Sequence, residues 1–264
     1  MCGIAGFVLS KIDDLNNGVL KAMANALAHR GPDDEGYYTW APQDKAYRIG
    51  LAHRRLSIID LDSGHQPIGN EDDTIQIVFN GEIYNYKELR DALISRGHRF
   101  KTNSDTETIV HAYEEYGYDC LKHFRGMFAF AIWDSNEQTL FLARDRYGKK
   151  PLYLYRSGND LLFSSEIKSI LASGTYRSSV DTEAVWHYLS YRYVPGPLTL
   201  FEGIHKLPPG HCATWHDGHF SQWSWFTPRD CVPQERGYSG PDPVGDFLEK
   251  LDESVRIRLV SDVP

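Results

Sequence analysis

The sequence has little of what membrane insertion or nucleic-acid binding requires. Its 264 residues contain no apolar run of about 18 residues, the minimum for a transmembrane helix. Lys11, Asp13 and Asp14 interrupt the only apolar stretch near the start, so no signal peptide is expected. The formal net charge is -8 and the arginines are scattered, which argues against nucleic acid as a partner. We therefore expect a cytoplasmic protein that binds neither membranes nor nucleic acids.

Cysteine is also scarce. The four cysteines stand at positions 2, 120, 212 and 231, without a CxxC spacing, so they are too few and too scattered for a disulfide framework. This usage fits a reducing compartment. Five candidate metal ligands fall close together, but their spacing resembles no tight zinc pattern: His205, His211, Cys212, His216 and His219. We expect no bound metal.

A glycine-rich phosphate loop is missing as well. No glycine-rich turn is followed by Lys-Ser or Lys-Thr, the arrangement that cradles nucleotide phosphates in one large class of ATP-binding proteins. We therefore expect no cofactor in this chain.

What the sequence does have is an alternation of short strands and helices without repeats. Residues 3–9, 75–79 and 127–133 have the apolar pattern of strands, whereas residues 19–27 and 106–116 have helical spacing. Asn-Gly at positions 80 and 81 is the commonest two-residue hairpin turn and predicts a chain reversal there. The patterns together predict a mixed α+β domain with mostly antiparallel sheets.

The texture of the sequence changes towards its end. We assign residues 1–226 to one domain, with residues 176–226 as its C-terminal part, and residues 227–242 to a linker rich in proline and glycine. Residues 243–264 are predicted to begin a second domain with a helix, whose apolar face includes Phe247 and Leu251. We expect this face to be covered by a further domain, to pair with a second copy or to fray.

Cys2 is the most informative residue, because removal of Met1 would leave a thiol and a free α-amine on one residue. A thiol pKa of about 8.5 and an α-amine pKa of about 7.7–8.0 allow the amine to take the thiol proton near neutral pH. Such a nucleophile suits acyl transfer through a thioester. By itself the pattern is more typical of a small residue that begins a buried strand, and the motifs below reverse that preference.

Two motifs contain arginines that secondary structure leaves unexplained. Arg30 precedes Gly31-Pro32, where glycine and proline account for the end of a helix but not for the arginine. Arg54 and Arg55 are adjacent in a strand-like segment, so their side chains should point to opposite faces. One of them is expected to face inward, where a guanidinium group suits a bidentate pair with a ligand carboxylate.

Two further motifs have both a structural and a chemical interpretation. Asn80 and Gly81 form a turn by pattern, but an Asn amide and a Gly backbone N–H also suit an oxyanion. Ser104 and Glu107 form a capping-box pattern at a helix N-terminus, but this pattern does not explain Asp105. Asp105 is interpreted either as a partner for a substrate ammonium group or as a carboxylate that favours the helix dipole.

In this order and spacing, the motifs resemble class II glutamine amidotransferases, in particular glutamine-hydrolysing asparagine synthetases. The resemblance covers nearly the whole chain. It rests on residues 1–6, 29–33, 52–58, 80–85, 104–107, 126–130, 143–153, 165–168, 193–197 and 206–211.

The resemblance implies an α+β fold of the N-terminal nucleophile type, a four-layer α-β-β-α sandwich of largely antiparallel sheets. It also implies that Cys2 attacks the side-chain amide of L-glutamine, that ammonia leaves, and that the glutamyl thioester is hydrolysed. The remaining roles carried over by resemblance are Asn80 and Gly81 for the oxyanion hole, Arg55 for the substrate α-carboxylate, Leu56, Ser57, Ile58 and Ile59 for the pocket wall, Glu82 and Asp105 for the α-ammonium group, and Arg30 for the mouth of the site.

The resemblance further implies a C-terminal synthetase domain of the same polypeptide, where ATP and Mg²⁺ would bind and ammonia would convert aspartate to asparagine. Residues 261–264 resemble those just before that domain's pyrophosphate loop, so this chain alone is expected only to hydrolyse glutamine. Two alternatives stay open. One is an acceptor that is a sugar, peptide or β-lactam precursor, and the other is a silent module if Met1 is retained. A homodimer also stays open.

Overall fold

The computed structural model describes residues 1–10, 16–42, 47–231, 242–259 and 262. Its strands are Gly3–Leu9 (β1), Asp34–Trp40 (β2), Arg48–Arg55 (β3), Ile68–Gly69 (β4), Ile75–Ile83 (β5), Gly126–Asp134 (β6), Thr139–Arg144 (β7), Tyr153–Ser157 (β8), Asp160–Ser164 (β9), Ile204–Lys206 (β10), His211–His216 (β11) and His219–Ser224 (β12). Its α-helices are Asn16–Asn25 (α1), Tyr86–Ser95 (α2), Asp105–Tyr116 (α3), Cys120–His123 (α4), Ile167–Ala172 (α5), Thr182–Tyr191 (α6) and Pro243–Arg256 (α7). Across the described residues, no helix is both long and apolar enough to cross a membrane.

The strands form two six-stranded antiparallel sheets. The first has the order β10-β8-β9-β1-β3-β2, and the second has the order β12-β11-β7-β6-β5-β4. In the first sheet, β1 lies between β9 and β3, with Gly3 opposite Arg54. Cys2 therefore stands directly before the start of a central strand.

Three buried apolar clusters separate four layers. The inner cluster lies between the two sheets and contains Ile4 and Leu51 from the first sheet and Val78 and Leu142 from the second. A second cluster packs the outer face of the second sheet against α2 and α3, and a third packs the first sheet against α1 and α5. The order helix, sheet, sheet, helix confirms the expected sandwich.

Strand β1 shows how the sequence specifies these layers. Ile4 and Val8 belong to the inner cluster, whereas Phe7 and Leu9 belong to the outer one. Successive side chains of a strand point to opposite faces, so a strand covered on both sides is apolar at nearly every position. All seven residues of β1 are buried.

The hairpin turn predicted at Asn80-Gly81 was wrong. Both residues lie inside β5, where Asn80 is opposite Ala129 and Gly81 is opposite Phe128 of β6. The glycine is needed for close approach and not for a turn, because a Cβ at position 81 would lie 2.2 Å from the carbonyl oxygen of Met127. Asp217 and Gly218 do form a hairpin turn, between β11 and β12, with φ of +47° and +83°.

Helix α7 begins where the sequence predicted. Pro243 occupies its first turn, and the Asp242 carboxylate accepts a hydrogen bond of 2.9 Å from the Gly245 N–H. The apolar residues of the helix are exposed, Phe247 by 63% and Leu251 by 48%, so nothing in the described part of the chain covers them. The assignment of residues 227–242 to a linker and 243–264 to a second domain stays a prediction, and residues 232–241, 260–261 and 263–264 lie outside the described residues.

Candidate active site

The thiol of Cys2 lies against the backbone of Leu56, just past the end of β3. Its sulfur accepts a hydrogen bond from the Leu56 N–H at 3.4 Å, and the thiol donates to the Leu56 carbonyl oxygen at 3.6 Å. The start of β1 is held from the other side, because the Ile4 N–H donates to the Ser165 hydroxyl at 3.0 Å. Hydrogen bonds on both sides therefore hold Cys2 and the start of β1 in place.

Local electrostatics leave this thiol dependent on a base. Burial raises the pKa of Cys2, while the Leu56 N–H and the positive charges of the N-terminal amine and Arg55 act in the opposite direction. Burial also lowers the pKa of the Met1 α-amine, which favours its neutral, proton-accepting form. This amine belongs to Met1, whereas the base of an N-terminal nucleophile is the α-amine of Cys2, which becomes free only when Met1 is removed.

Arg30 lies behind Cys2. Its Nε donates to the Cys2 carbonyl oxygen at 2.9 Å, and its Nη1 pairs with Glu166 at 2.9 Å. Arg30 is not among the residues that line the pocket in front of Cys2. Arg30 therefore holds the backbone of Cys2 in position.

The adjacent arginines of β3 separate as the alternation predicted. Arg54 points outward to Glu35 at 2.5 Å, whereas Arg55 is 6% exposed and points inward. The guanidinium of Arg55 donates to the carbonyl oxygens of Ile59, Asp60 and Leu61. Arg55 therefore fixes the loop after β3 and presents its remaining surface to the pocket.

Asn80 is unusual among the site residues because its buried side chain is unpaired in the part of the chain that the structure describes. It is 1% exposed, and among the described residues neither its side-chain nitrogen nor its side-chain oxygen has a hydrogen-bond partner. Buried polar side chains without partners are rare because leaving one unpaired costs about 1–3 kcal/mol. Position 80 on β5 brings this amide into the pocket that Cys2 also lines.

Asp105 enters the pocket from the first turn of α3. It is 5% exposed, and its Oδ2 accepts a hydrogen bond of 2.9 Å from the Ile83 N–H. Burial and the neighbouring charge of Glu82 raise its pKa to about 7, against the effect of the backbone N–H groups. A cation placed beside Asp105 and Glu82 would favour the ionised carboxylate.

The capping box is only half confirmed. The Ser104 hydroxyl accepts a hydrogen bond of 3.2 Å from the Thr106 N–H, as an N-cap should. Glu107 does not return to the Ser104 N–H, however, and instead accepts from the N–H groups of Lys101 and Thr102 at 2.6 Å each. The loop before α3 passes close enough to compete for the carboxylate.

Most of the predicted site residues meet in one pocket, which encloses about 550 Å³ of empty space, part of it open to solvent. Arg30 and Ser57 lie outside its lining, and the Ser57 N–H donates to Asp33 at 2.9 Å. The predicted residues that line the pocket are Cys2, Arg55, Leu56, Ile58, Ile59, Asn80, Gly81, Glu82 and Asp105.

Sequence reasoning missed Gln66 and Lys150, which also line the pocket. The Gln66 side chain accepts from the Phe79 N–H at 2.7 Å and donates to the Thr106 hydroxyl at 3.1 Å, so it ties β5 to α3. A glutamine in a loop and a lysine beside another lysine carry no local pattern that could have identified them. Only the tertiary fold brings them to Cys2.

His53 holds the two sheets in register beside the pocket. It is 1% exposed, and its Nε2 donates to the Phe79 carbonyl oxygen at 3.0 Å. Burial lowers its pKa to about 3, so the imidazole is neutral and serves as a donor only through this nitrogen. His53 is therefore a structural link and not a proton carrier.

A cysteine at position 2, on a central strand of a four-layer sandwich, is the arrangement of N-terminal nucleophile hydrolases. The sequence model of the glutamine amidotransferase domain family matches residues 1–226. The chain belongs to this family.

Individual relatives agree with the assignment. Asparagine synthetase (glutamine-hydrolyzing) 1 of Bacillus subtilis is 37% identical over 269 residues, which cover 100% of this chain and 41% of that protein. Amidase chry2 of Gibberella zeae is 37% identical over 282 residues, covering 100% of this chain and 40% of that protein. The chain thus spans about two fifths of the length of these relatives.

A solved structure gives independent support for the fold. The glutamine phosphoribosylpyrophosphate amidotransferase of B. subtilis, in complex with ADP and GMP, superposes with a TM-score of 0.62 at 16% identity. The match covers 85% of this chain and 49% of the other chain. This likeness confirms the predicted fold.

Proposed function

We propose that this chain hydrolyses L-glutamine to L-glutamate and ammonia through a thioester on Cys2. The observation that carries the proposal is the Asn80 amide, which is buried, has no partner among the described residues and lines the same pocket as the thiol. A donor left free beside a nucleophile is suited to a charge that appears only during the reaction.

The chemistry needs one proton carrier. The α-amine of Cys2, free once Met1 is removed, takes the thiol proton. The thiolate then attacks the side-chain carbonyl carbon of glutamine to give a tetrahedral oxyanion held by Asn80 and the Gly81 N–H. The carbon–nitrogen bond then breaks, and the amine returns its proton to the departing nitrogen, which leaves as ammonia. Water adds to the thioester in the same way and releases glutamate and the free thiol.

The pocket lining includes one buried arginine and two carboxylate groups, which suits the α-amino acid part of glutamine. Arg55 would hold the α-carboxylate, and Glu82 and Asp105 would hold the α-ammonium group. Leu56, Ile58 and Ile59 would pack against the methylene groups of the substrate.

Arg55→Ala is expected to raise the KM for glutamine by about tenfold or more, because a charged hydrogen bond contributes roughly 1.5–3 kcal/mol. The carboxylate is bound equally in the ground and transition states, so kcat should change less than KM. Steady-state kinetics of glutamate release measure both quantities.

The neighbouring variant Arg54→Ala is the matched control. It removes an arginine from the same strand, but one that points outward to Glu35, so its KM should stay at the wild-type value. A fall in kcat at unchanged KM in Arg55→Ala would instead place Arg55 in the chemical step.

The proposed activity is tested directly with glutamine labelled with ¹⁵N at the amide. The chain should release labelled ammonia and glutamate without ATP or aspartate, in equal amounts. Absence of release from a folded chain whose mass confirms an N-terminal Cys2 would contradict the proposal.

For the longer polypeptide, we propose that the ammonia is used in asparagine synthesis from aspartate. The names of the asparagine synthetase relatives and their greater length support this proposal. ATP and Mg²⁺ would bind in the additional synthetase domain. That domain, or a second copy in a homodimer, would cover the exposed apolar face of α7. The free cysteines support a cytoplasmic location.

A function other than asparagine synthesis in the longer polypeptide also has support, since relatives named amidases match this chain over its whole length. In the longer polypeptide, labelled amide nitrogen should appear in asparagine when ATP and aspartate are supplied. Its absence under conditions in which glutamine is hydrolysed would favour a different acceptor.

A further inference from the structure

A second cluster of ionisable side chains lies outside the pocket of Cys2. It joins three segments: Glu71 from the turn between β4 and β5, His98 from the loop between α2 and α3, and His111 and Glu114 from α3. None of the four lines the Cys2 pocket. One ligand atom from each side chain lies within 4.8 Å of the other three.

The two imidazole rings present the same nitrogen to the same two carboxylates. Nδ1 of His111 is 2.7 Å from Glu114 and 3.6 Å from Glu71. Nδ1 of His98 is 3.6 Å from Glu114 and 3.7 Å from Glu71. Two imidazole nitrogens and the carboxylate groups of Glu71 and Glu114 therefore lie together, with nitrogen–oxygen distances of 2.7–3.7 Å.

The opposite nitrogen of each ring faces a further carboxylate. Nε2 of His111 lies 3.6 Å from Glu107, and Nε2 of His98 lies 3.6 Å from Glu115. Carboxylates in this position orient the imidazole ligands of metal sites and increase their basicity. Glu107 is itself 1% exposed and fixed by the N–H groups of Lys101 and Thr102.

The carboxylates around the cluster favour the binding of a dication. The hydrogen bond of 2.7 Å between His111 Nδ1 and Glu114 holds a proton that the ion would displace, because a ligating imidazole must be neutral. Arg96 pairs with Glu115 on the outer side. Four carboxylates around two imidazoles repel one another, and an ion between them would relieve that repulsion.

We propose that Glu71, His98, His111 and Glu114 form a binding site for a divalent transition metal ion of the Zn²⁺ type. Two imidazole nitrogens and two carboxylate oxygens suit zinc better than the harder Mg²⁺ or Ca²⁺, which prefer oxygen ligands only. This proposal departs from the absence of metal expected from the sequence. The role of the ion would be structural, because it would tie two loops to α3, the helix that carries Asp105 into the Cys2 pocket.

Calorimetric titration of the chelator-treated chain with Zn²⁺ tests the site without reference to activity. One ion per chain should bind and raise the melting temperature. His98→Asn and Glu114→Gln should each weaken binding by at least about tenfold, since even outer partners of metal ligands contribute about 10–100-fold. Both side chains are partly exposed, which makes these variants safer for folding than a change at the fully buried His111.

The double variant His211→Asn/His219→Asn is the control, because it removes histidines of the β11–β12 hairpin and keeps the cluster. It should bind Zn²⁺ as the wild type does, and Co²⁺ should give visible absorption bands of a low-coordinate site in both. The proposal is overturned if the wild type shows no saturable binding of either ion, or if binding survives the cluster variants. Should one cluster variant fail to fold, the other variant and the Co²⁺ spectrum decide.

Discussion

Cys2→Ala is expected to lower glutamate release from glutamine by roughly 10⁴-fold or more, as is typical when a covalent nucleophile is removed. The thioester cannot form without the sulfur, and alanine offers no proton to the amine. The fold should be unaffected, because within the described residues the sulfur makes only two weak hydrogen bonds, of 3.4 and 3.6 Å, to Leu56. Ammonia and glutamate assays, with circular dichroism as the folding check, measure the effect.

The matched control is Cys231→Ala, which removes an exposed free cysteine and should keep full activity. The other two cysteines are buried, and burial raises the pKa of Cys212 to about 12 and that of Cys120 above its usual range, so both are inert. Activity that survives in Cys2→Ala would assign the nucleophile elsewhere. A mass that retains Met1 would favour the silent module instead, because the amine would then belong to another residue.

The fold could be predicted largely because its strands carry their burial in their sequence. Strand β1 is apolar at nearly every position since both of its faces are covered, and residues 127–133 follow the same rule in β6. Helix α7 was predicted equally well, because Asp242 and Pro243 supply a local start signal. Such signals depend on neighbours in the sequence, which is why single-sequence reasoning finds them.

Position 81 shows where local reasoning fails. Asn-Gly favours a turn only when the flanking strands pair with each other, whereas here β5 continues and pairs with β6. The glycine is required by the Met127 carbonyl oxygen, which belongs to a residue 46 positions further along the chain. A pattern of two residues contains no information about that contact.

The sequence motifs supplied most of the residues that line the pocket, but not the residues that hold the surrounding elements together. Cys2, Arg55 and Asp105 come from separate motifs that the resemblance joined, and the structure brings them to one pocket. Gln66 could not be found, because its role depends on simultaneous contacts with Phe79 and Thr106. The same holds for the cluster around His111, whose members come from three segments without a common spacing.

Asn80→Ala is expected to separate catalysis from stability. Removing one oxyanion donor lowers kcat by about 10²–10³-fold, equivalent to roughly 2.7–4 kcal/mol. The KM for glutamine should change little, because the charge that the amide meets exists only in the tetrahedral intermediate. The melting temperature should also change little, since among the described residues the Asn80 amide has no hydrogen bond to lose.

Asn85→Ala gives the opposite pattern and serves as the comparison for Asn80. The Asn85 side chain donates to the His123 carbonyl oxygen and accepts from the Arg125 N–H, both at 2.9 Å, and it does not line the pocket. Its loss should lower the melting temperature while kcat stays near the wild-type value. If Asn80→Ala instead lost stability and kept kcat, its amide would be a structural group, and the oxyanion would have to be held by the Gly81 N–H and other donors.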